Sequence, residues 1–266
     1  MKRHWKKIVG AIGLLIVLVL AGSFIYAKVF NKADPAFGQD DVNAKLDSAT
    51  TTIVADPTTT IASPAASTTA ASLAPAGGPT STSTQATPAT PTVGADGLWT
   101  IKEGSEVGYR VDESINGFDT TANGRTQAIT GSMVAAGTTI SEGQFKVDMT
   151  TFKSDESKRD AQFNGRVMDV NNFPEATFVL TEPIDFVQIP DEGGTVTATA
   201  TGDLTLHGTT NSVTFEVQGT FKNGLVGVLG QIPIVFADYG IPNPSFATVT
   251  TEDHGLLEFV LILERQ

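Results

Sequence analysis

From Leu98 to the C-terminus, apolar residues keep returning at every second position. Val107, Tyr109 and Val111 share one face of a predicted strand, and so do Phe145, Val147 and Met149. Leu204 and Leu206 repeat the pattern, as do Val213, Phe215 and Val217. Leu257, Phe259, Leu261 and Leu263 form a further row, with Glu258 and Glu264 opposite. A period of two is the mark of strands with one buried face. Turn-rich pieces separate the runs: Glu192-Gly193-Gly194, His207-Gly208-Thr209-Thr210 and Lys222-Asn223-Gly224. The last lies between two such runs and predicts a hairpin. One segment reads as helix instead. Ser154 can cap it, Asp155 and Glu156 suit its first turn, and Asp155 and Arg159 can pair four residues apart. It should end near Asn171, before Phe173-Pro174. The expected fold is all-β, about eight antiparallel strands plus a short helix. Closing such a sheet into a barrel removes its exposed edges. At this strand number the lumen is either filled by side chains or holds one small apolar ligand. The alternation does not choose between them.

The N-terminal part follows different rules. Met1-Lys2-Arg3-His4-Trp5-Lys6-Lys7 is basic, and Ile8 to Ala27 carries no charge. Twenty residues at helical rise cover about 30 Å, the thickness of a hydrocarbon core. Residues 8–30 are therefore expected to form one transmembrane anchor helix, with residues 1–7 a basic cytoplasmic tail and the remainder exported. Cleavage after Ala27 is the competing reading, disfavoured by the length of the apolar stretch and by Ile25. Residues 31–97, mostly Thr, Ser, Ala and Pro from Thr50 onward, retain no apolar period and are expected to be a disordered linker. As a coil such a segment would span roughly 45 Å root-mean-square, and it could carry sugars. The folded domain is then 98–266.

Composition narrows the chemistry. The chain has no cysteine, so the core must hold the domain without disulfides. Net charge is −12, but residues 1–30 are basic while 98–266 carries 10 Lys and Arg against 23 Asp and Glu. That surface repels phosphate backbones, so no nucleic-acid partner is expected. Histidines 207 and 254 of the domain sit in apparent turns, solvated by default, and no metal-ligand spacing or cysteine pair exists. No Gly-x-Ser-x-Gly elbow or glycine-rich phosphate loop is present either. A binding protein, rather than an enzyme, is the expectation.

Two stretches carry a family resemblance. One is Ser157-Lys158-Arg159-Asp160 with Phe163 and Asn172-Phe173-Pro174-Glu175-Ala176-Thr177-Phe178; the other is Thr201-Gly202-Asp203-Leu204-Thr205-Leu206-His207-Gly208 running into Val213–Val217. With Gly124-Arg125-Thr126, Asp238-Tyr239-Gly240-Ile241 and Leu256-Leu257-Glu258-Phe259, they resemble the YceI-like family of polyisoprenoid-binding, lipocalin-like barrels of bacterial envelopes. One departure is Gly104-Ser105, where many members carry His-Ser. The resemblance implies an eight-stranded antiparallel barrel whose apolar cavity takes an isoprenoid, an isoprenoid quinone or a fatty-acid-like lipid for transport, storage or sequestration. No other cofactor is implied. Tyr109, Val111, Phe145, Val147, Phe163, Phe178, Leu204, Phe215, Val217 and Phe259 would line that cavity, and Arg159 would meet the ligand's polar end. The plainer alternatives are core packing for the apolar residues and a helix-to-barrel salt bridge for Arg159. A packed barrel acting as an envelope interaction or structural module is the alternative function.

Overall fold

A computed structural model describes residues 17–19, 21–22, 33–51 and 96–266. Among them, twelve strands make one antiparallel sheet. They are β1 (Gly97–Ile101), β2 (Glu106–Ile115), β3 (Phe118–Thr126), β4 (Ile129–Ala136), β5 (Thr139–Asp148) and β6 (Glu175–Leu180). After them come β7 (Ile184–Asp185), β8 (Thr195–Leu206), β9 (Thr209–Lys222), β10 (Leu225–Val235), β11 (Val249–Thr251) and β12 (His254–Arg265).

The twelve reduce to eight ribbons. β1 and β2 both lie along β12, one against Leu263–Arg265 and the other against Leu256–Val260, so they are one strand with a kink. β3 pairs with β2 and β4 with β1, making a second bent ribbon beside it. The ring then runs through β5, β6, β8, β9 and β10 back to β12. β7 and β11 are short additions to β5 and β2. The result is the expected eight-stranded antiparallel barrel with a short helix.

Local chemistry explains the kinks and turns. At the first kink the hydroxyl of Ser105, 2% exposed, replaces a missing ladder bond: it accepts from the Ile262 N–H at 2.8 Å and donates to the Lys102 carbonyl at 2.9 Å. At the second, Thr126 Oγ1 accepts from the Ala128 N–H at 3.0 Å. Asn116-Gly117, His207-Gly208 and Asn223-Gly224 join their strands through two residues, both with positive φ. These are turns whose twist matches that of the flanking strands.

Two features of the chain differ from expectation. The segment expected to be linker from residue 31 contains a helix, α1 (Gln39–Thr51). Phe37, Val42 and Leu46 are 4%, 1% and 0% exposed, packed on the outward side chains of Leu225, Leu229, Val260 and Ile262. Each such side chain contributes about 1.5–3 kcal/mol on burial, part of what offsets the ordering of the helix. Gly227 makes the fit possible, because a Cβ there would lie 2.5 Å from Val42 Cγ1. The signal was present in β12, where Val260 and Ile262 make the outer face apolar too; a strand apolar on both faces needs a cover on each. Glu258 is consequently 0% exposed rather than on a solvent face. It pairs with Arg125 at 3.3 Å and accepts from the Phe37 N–H at 3.1 Å, in space left by Gly108.

The helix expected from Ser154 to Asn171 is shorter. α2 (Ser157–Gln162) passes into a wider π-turn over Phe163–Val167, closed by Met168 N–H to the Phe163 carbonyl at 2.8 Å. Ser154 does not cap it; its N–H and hydroxyl both donate to Asp160 Oδ1, at 2.8 and 2.7 Å. The expected Asp155–Arg159 pair is formed. Of the expected anchor over 8–30, residues 17–19 and 21–22 are helical, and the rest lies outside the described residues, as does 52–95 of the expected linker. Among the described residues no helix is long and apolar enough to cross a membrane.

Candidate functional site

The inward faces of the ribbons enclose two apolar chambers. The first, about 180 Å³, lies toward the end carrying the β4–β5 and β9–β10 turns. Its wall includes Phe145, Phe178, Leu204, Phe215, Val217 and Phe259. The second, about 470 Å³, lies toward the α2 end and includes Tyr109, Val111, Arg159, Phe163 and Phe246. Val107, Val147, Ala176 and Leu257 border both. Val147 faces Ala176 across the β5–β6 ladder, and Val107 and Leu257 are diagonal neighbours on β2 and β12. These two pairs come from separate walls of the barrel and form a waist between the chambers. All eleven residues singled out from sequence thus border one chamber or the other.

A lumen with so many aromatic residues stays hollow because glycines let the rings lie against the wall. A Cβ on Gly124 would meet the Tyr109 ring at 2.6 Å, and one on Gly131 the Phe145 ring at the same distance. A Cβ on Gly202 would strike Phe178, and one on Gly230 would strike Phe259. In each case a ring on one strand covers the glycine of its neighbour. Phe178, Phe215 and Phe259 then make edge-to-face contacts at 5.6 and 6.1 Å, a continuous aromatic arc around the first chamber. Leu204 packs beneath it, 3% exposed.

Polar groups gather at the second chamber. Phe163 stacks on Tyr109 with centroids 4.7 Å apart and planes 8° from parallel, and Phe152 touches both rings. This triad fastens α2 and its π-turn over the lumen. Arg159 bonds Asp155 beside it and reaches Glu113 on β2 at 3.7 Å, the helix-to-barrel bridge foreseen as the plainer alternative. The same geometry puts its guanidinium at the chamber wall. Burial pushes the Tyr109 phenol well above its usual range; Arg159 opposes that shift, while Asp160, Asp155 and Glu113 add to it. Arg166 donates to the carbonyls of Asn243 and Pro244, at 3.1 and 2.6 Å, and so ties the helix to the loop before β11. That loop brings in Pro244 and Phe246, which the alternation pattern did not reveal because they lie outside any strand.

The two domain histidines differ. His254 is exposed and bonded to Asp253 at 2.9 Å, which raises its pKa and lowers that of the carboxylate. Ligand atoms of Glu252, Asp253 and His254 lie within 4.8 Å of one another, all exposed. His207, expected to be solvated, is instead half-buried: Phe173 packs on its ring at 4.5 Å and its Nδ1–H donates to the Tyr239 carbonyl at 3.2 Å.

Comparison with known proteins agrees with this architecture. The YceI-like domain matches residues 99–262. A UPF0312 protein of Vibrio campbellii is 32% identical over 103 residues, covering 36% of this chain and 51% of the relative. A second, from Vibrio parahaemolyticus, is 31% identical over the same length. The chain thus spans about half the length of the curated relatives it matches. A polyisoprenoid binding domain from Saccharophagus degradans, implicated in plant cell wall breakdown, has a similar fold, with TM-score 0.52 and 16% identity over 63% of this chain and 98% of that one. With an eight-ribbon barrel around an apolar lumen and a family match across nearly the whole of it, the chain belongs to the YceI-like domain family.

Proposed function

We propose that this protein is a membrane-anchored barrel outside the cytoplasm that binds an isoprenoid or another long-chain lipid in its lumen, for transport, storage or sequestration. The observation that carries this reading is the pair of chambers meeting at one waist, the first lined without a charged side chain and the second bordered by Arg159 and Glu113. That polarity suits an amphiphile with its tail inward and its head beside Arg159 and Tyr109. Together the chambers reach the size of ordinary small-molecule sites, roughly 300–1,000 Å³. Tail dehydration supplies about 0.8 kcal/mol per buried CH₂ before ordering costs. The polyisoprenoid binding recorded for the Saccharophagus degradans domain supports the same ligand class. The basic N-terminus followed by an uncharged run supports the anchor and its orientation.

Native and denaturing mass spectrometry of residues 33–266, purified without detergent, tests the reading. A hydrophobic molecule of defined mass that appears on unfolding supports it, and Phe215→Asp should abolish its uptake in a protein that remains folded. A barrel that arrives empty and refuses added isoprenoids, quinones and fatty acids would instead favour an envelope interaction module.

A further inference from the structure

We infer that the 33–51 arm holds the barrel against the bilayer, with the wall beside the second chamber facing the lipid surface. This rests on the membrane-anchor reading above. Read as sequence, residues 31–97 look like a tether that lets the domain roam. The docked arm removes that freedom, because the chain is fixed to the barrel from Asp34 onward. Arg110 Nη1 donates to the Asp34 carbonyl and Arg125 Nη2 to the Pro35 carbonyl, each at 2.5 Å. The Arg125 guanidinium also lies 4.0 Å above the Phe37 ring, and the Phe37 backbone N–H donates to buried Glu258. Further along, Lys45 reaches the Gly104 carbonyl at 2.9 Å and Glu106 at 2.8 Å, and Lys222 pairs with Asp47 at 2.7 Å.

Chain length then decides the distance. Between Phe30, the end of the expected anchor, and Asp34 stand Asn31, Lys32 and Ala33. Fully extended, the four steps from Phe30 to Asp34 reach only about 14 Å. Residues 52–95 do not lengthen this connection, because α1 before them and β1 after them both sit on the barrel.

The geometry also selects a face. Arg110 belongs to β2, the strand that carries Tyr109, Val111, Glu113 and Ile115 along the second chamber. β11 pairs with the far end of β2, and the loop before it presents Phe246, 63% exposed at the chamber wall. A large exposed apolar side chain at a cavity mouth suits contact with a lipid interface. The acidic domain gains nothing from anionic headgroups, so the contact is maintained by the short connection and not by charge. A lipid could then pass between bilayer and chamber without exposing its tail to bulk water.

The absence of cysteine makes the test clean, since one introduced thiol is the only label site. The full chain carrying Phe246→Cys or Glu142→Cys, with a fluorophore on that cysteine, is inserted into phosphatidylcholine vesicles containing a nitroxide-headgroup lipid. Strong quenching at position 246 and little at position 142 is the expected result. Val42→Asp or Gly227→Val, which undock α1, should bring position 246 down to the level of position 142 while the barrel keeps its circular dichroism. Equal, weak quenching at both sites in a chain that floats with the vesicles would overturn the inference while leaving the anchor intact. A chain that fails to float would remove the anchor reading, and this inference with it.

Discussion

Glycine and aromatic residues act as pairs in this barrel. Gly230 has no room for a Cβ because the Phe259 ring occupies it, so Gly230→Ala must drive that ring toward the lumen. Overpacking of this kind costs about 1–3 kcal/mol. Denaturant unfolding should show that loss, and ligand capacity should fall with it. Tyr109 makes a pH prediction. Burial raises its pKa, so the folded state keeps the phenol protonated where the unfolded chain releases it, above about pH 10. The stabilisation is complete below that value and is lost as pH climbs above it. Denaturation midpoints should therefore drop beyond about pH 10, and Tyr109→Phe should flatten much of the drop. Tyr239, also raised by burial, should leave a residual slope.

At the scale of elements, the alternation in the β-strands was legible because a strand has only two faces and one of them must be buried. Val213–Val217 and Phe145–Met149 accordingly point where their period indicates. The Asn223-Gly224 hairpin was legible for a similar reason, since its turn demands two positive φ values. α1 was not legible: its three buried anchors, Phe37, Val42 and Leu46, lie in a polar stretch that leads into low-complexity sequence. Its existence depends on a groove contributed by β10 and β12, about two hundred residues away in sequence. The π-turn escaped as well, because Phe163 is positioned by stacking on Tyr109 rather than by helical period. Removing most of the Leu46 side chain tests the docking. Leu46→Ala should cost about 2–5 kcal/mol if it matches other buried leucines. The loss should appear as faster amide hydrogen exchange confined to residues 39–51, with barrel amides still protected.

For the whole molecule, closure of the sheet creates the lumen and the waist divides it. Ala176 is the smallest residue of that waist, 5% exposed and bordering both chambers. Ala176→Leu should block the passage while leaving the larger chamber available. In a homologous series of straight-chain alcohols, affinity for the longest members should fall about tenfold or more, the effect of excluding a few methylenes, while short members bind as before. A uniform loss along the series would mean that the waist does not set chain length.

The sequence by itself determined the barrel, the inward-facing set of residues and the acidic exterior, because alternation, turn chemistry and charge are local properties. Whether the lumen would be packed or hollow depended on which glycines meet which rings across neighbouring strands, and only the closed sheet brings those partners together. Likewise, the arm reads as tether until its apolar side chains meet the outer wall of β10 and β12. Its burial is a contact between distant segments: the apolar outer face of β12 shows that a cover is needed, but no period in the arm marks it as that cover.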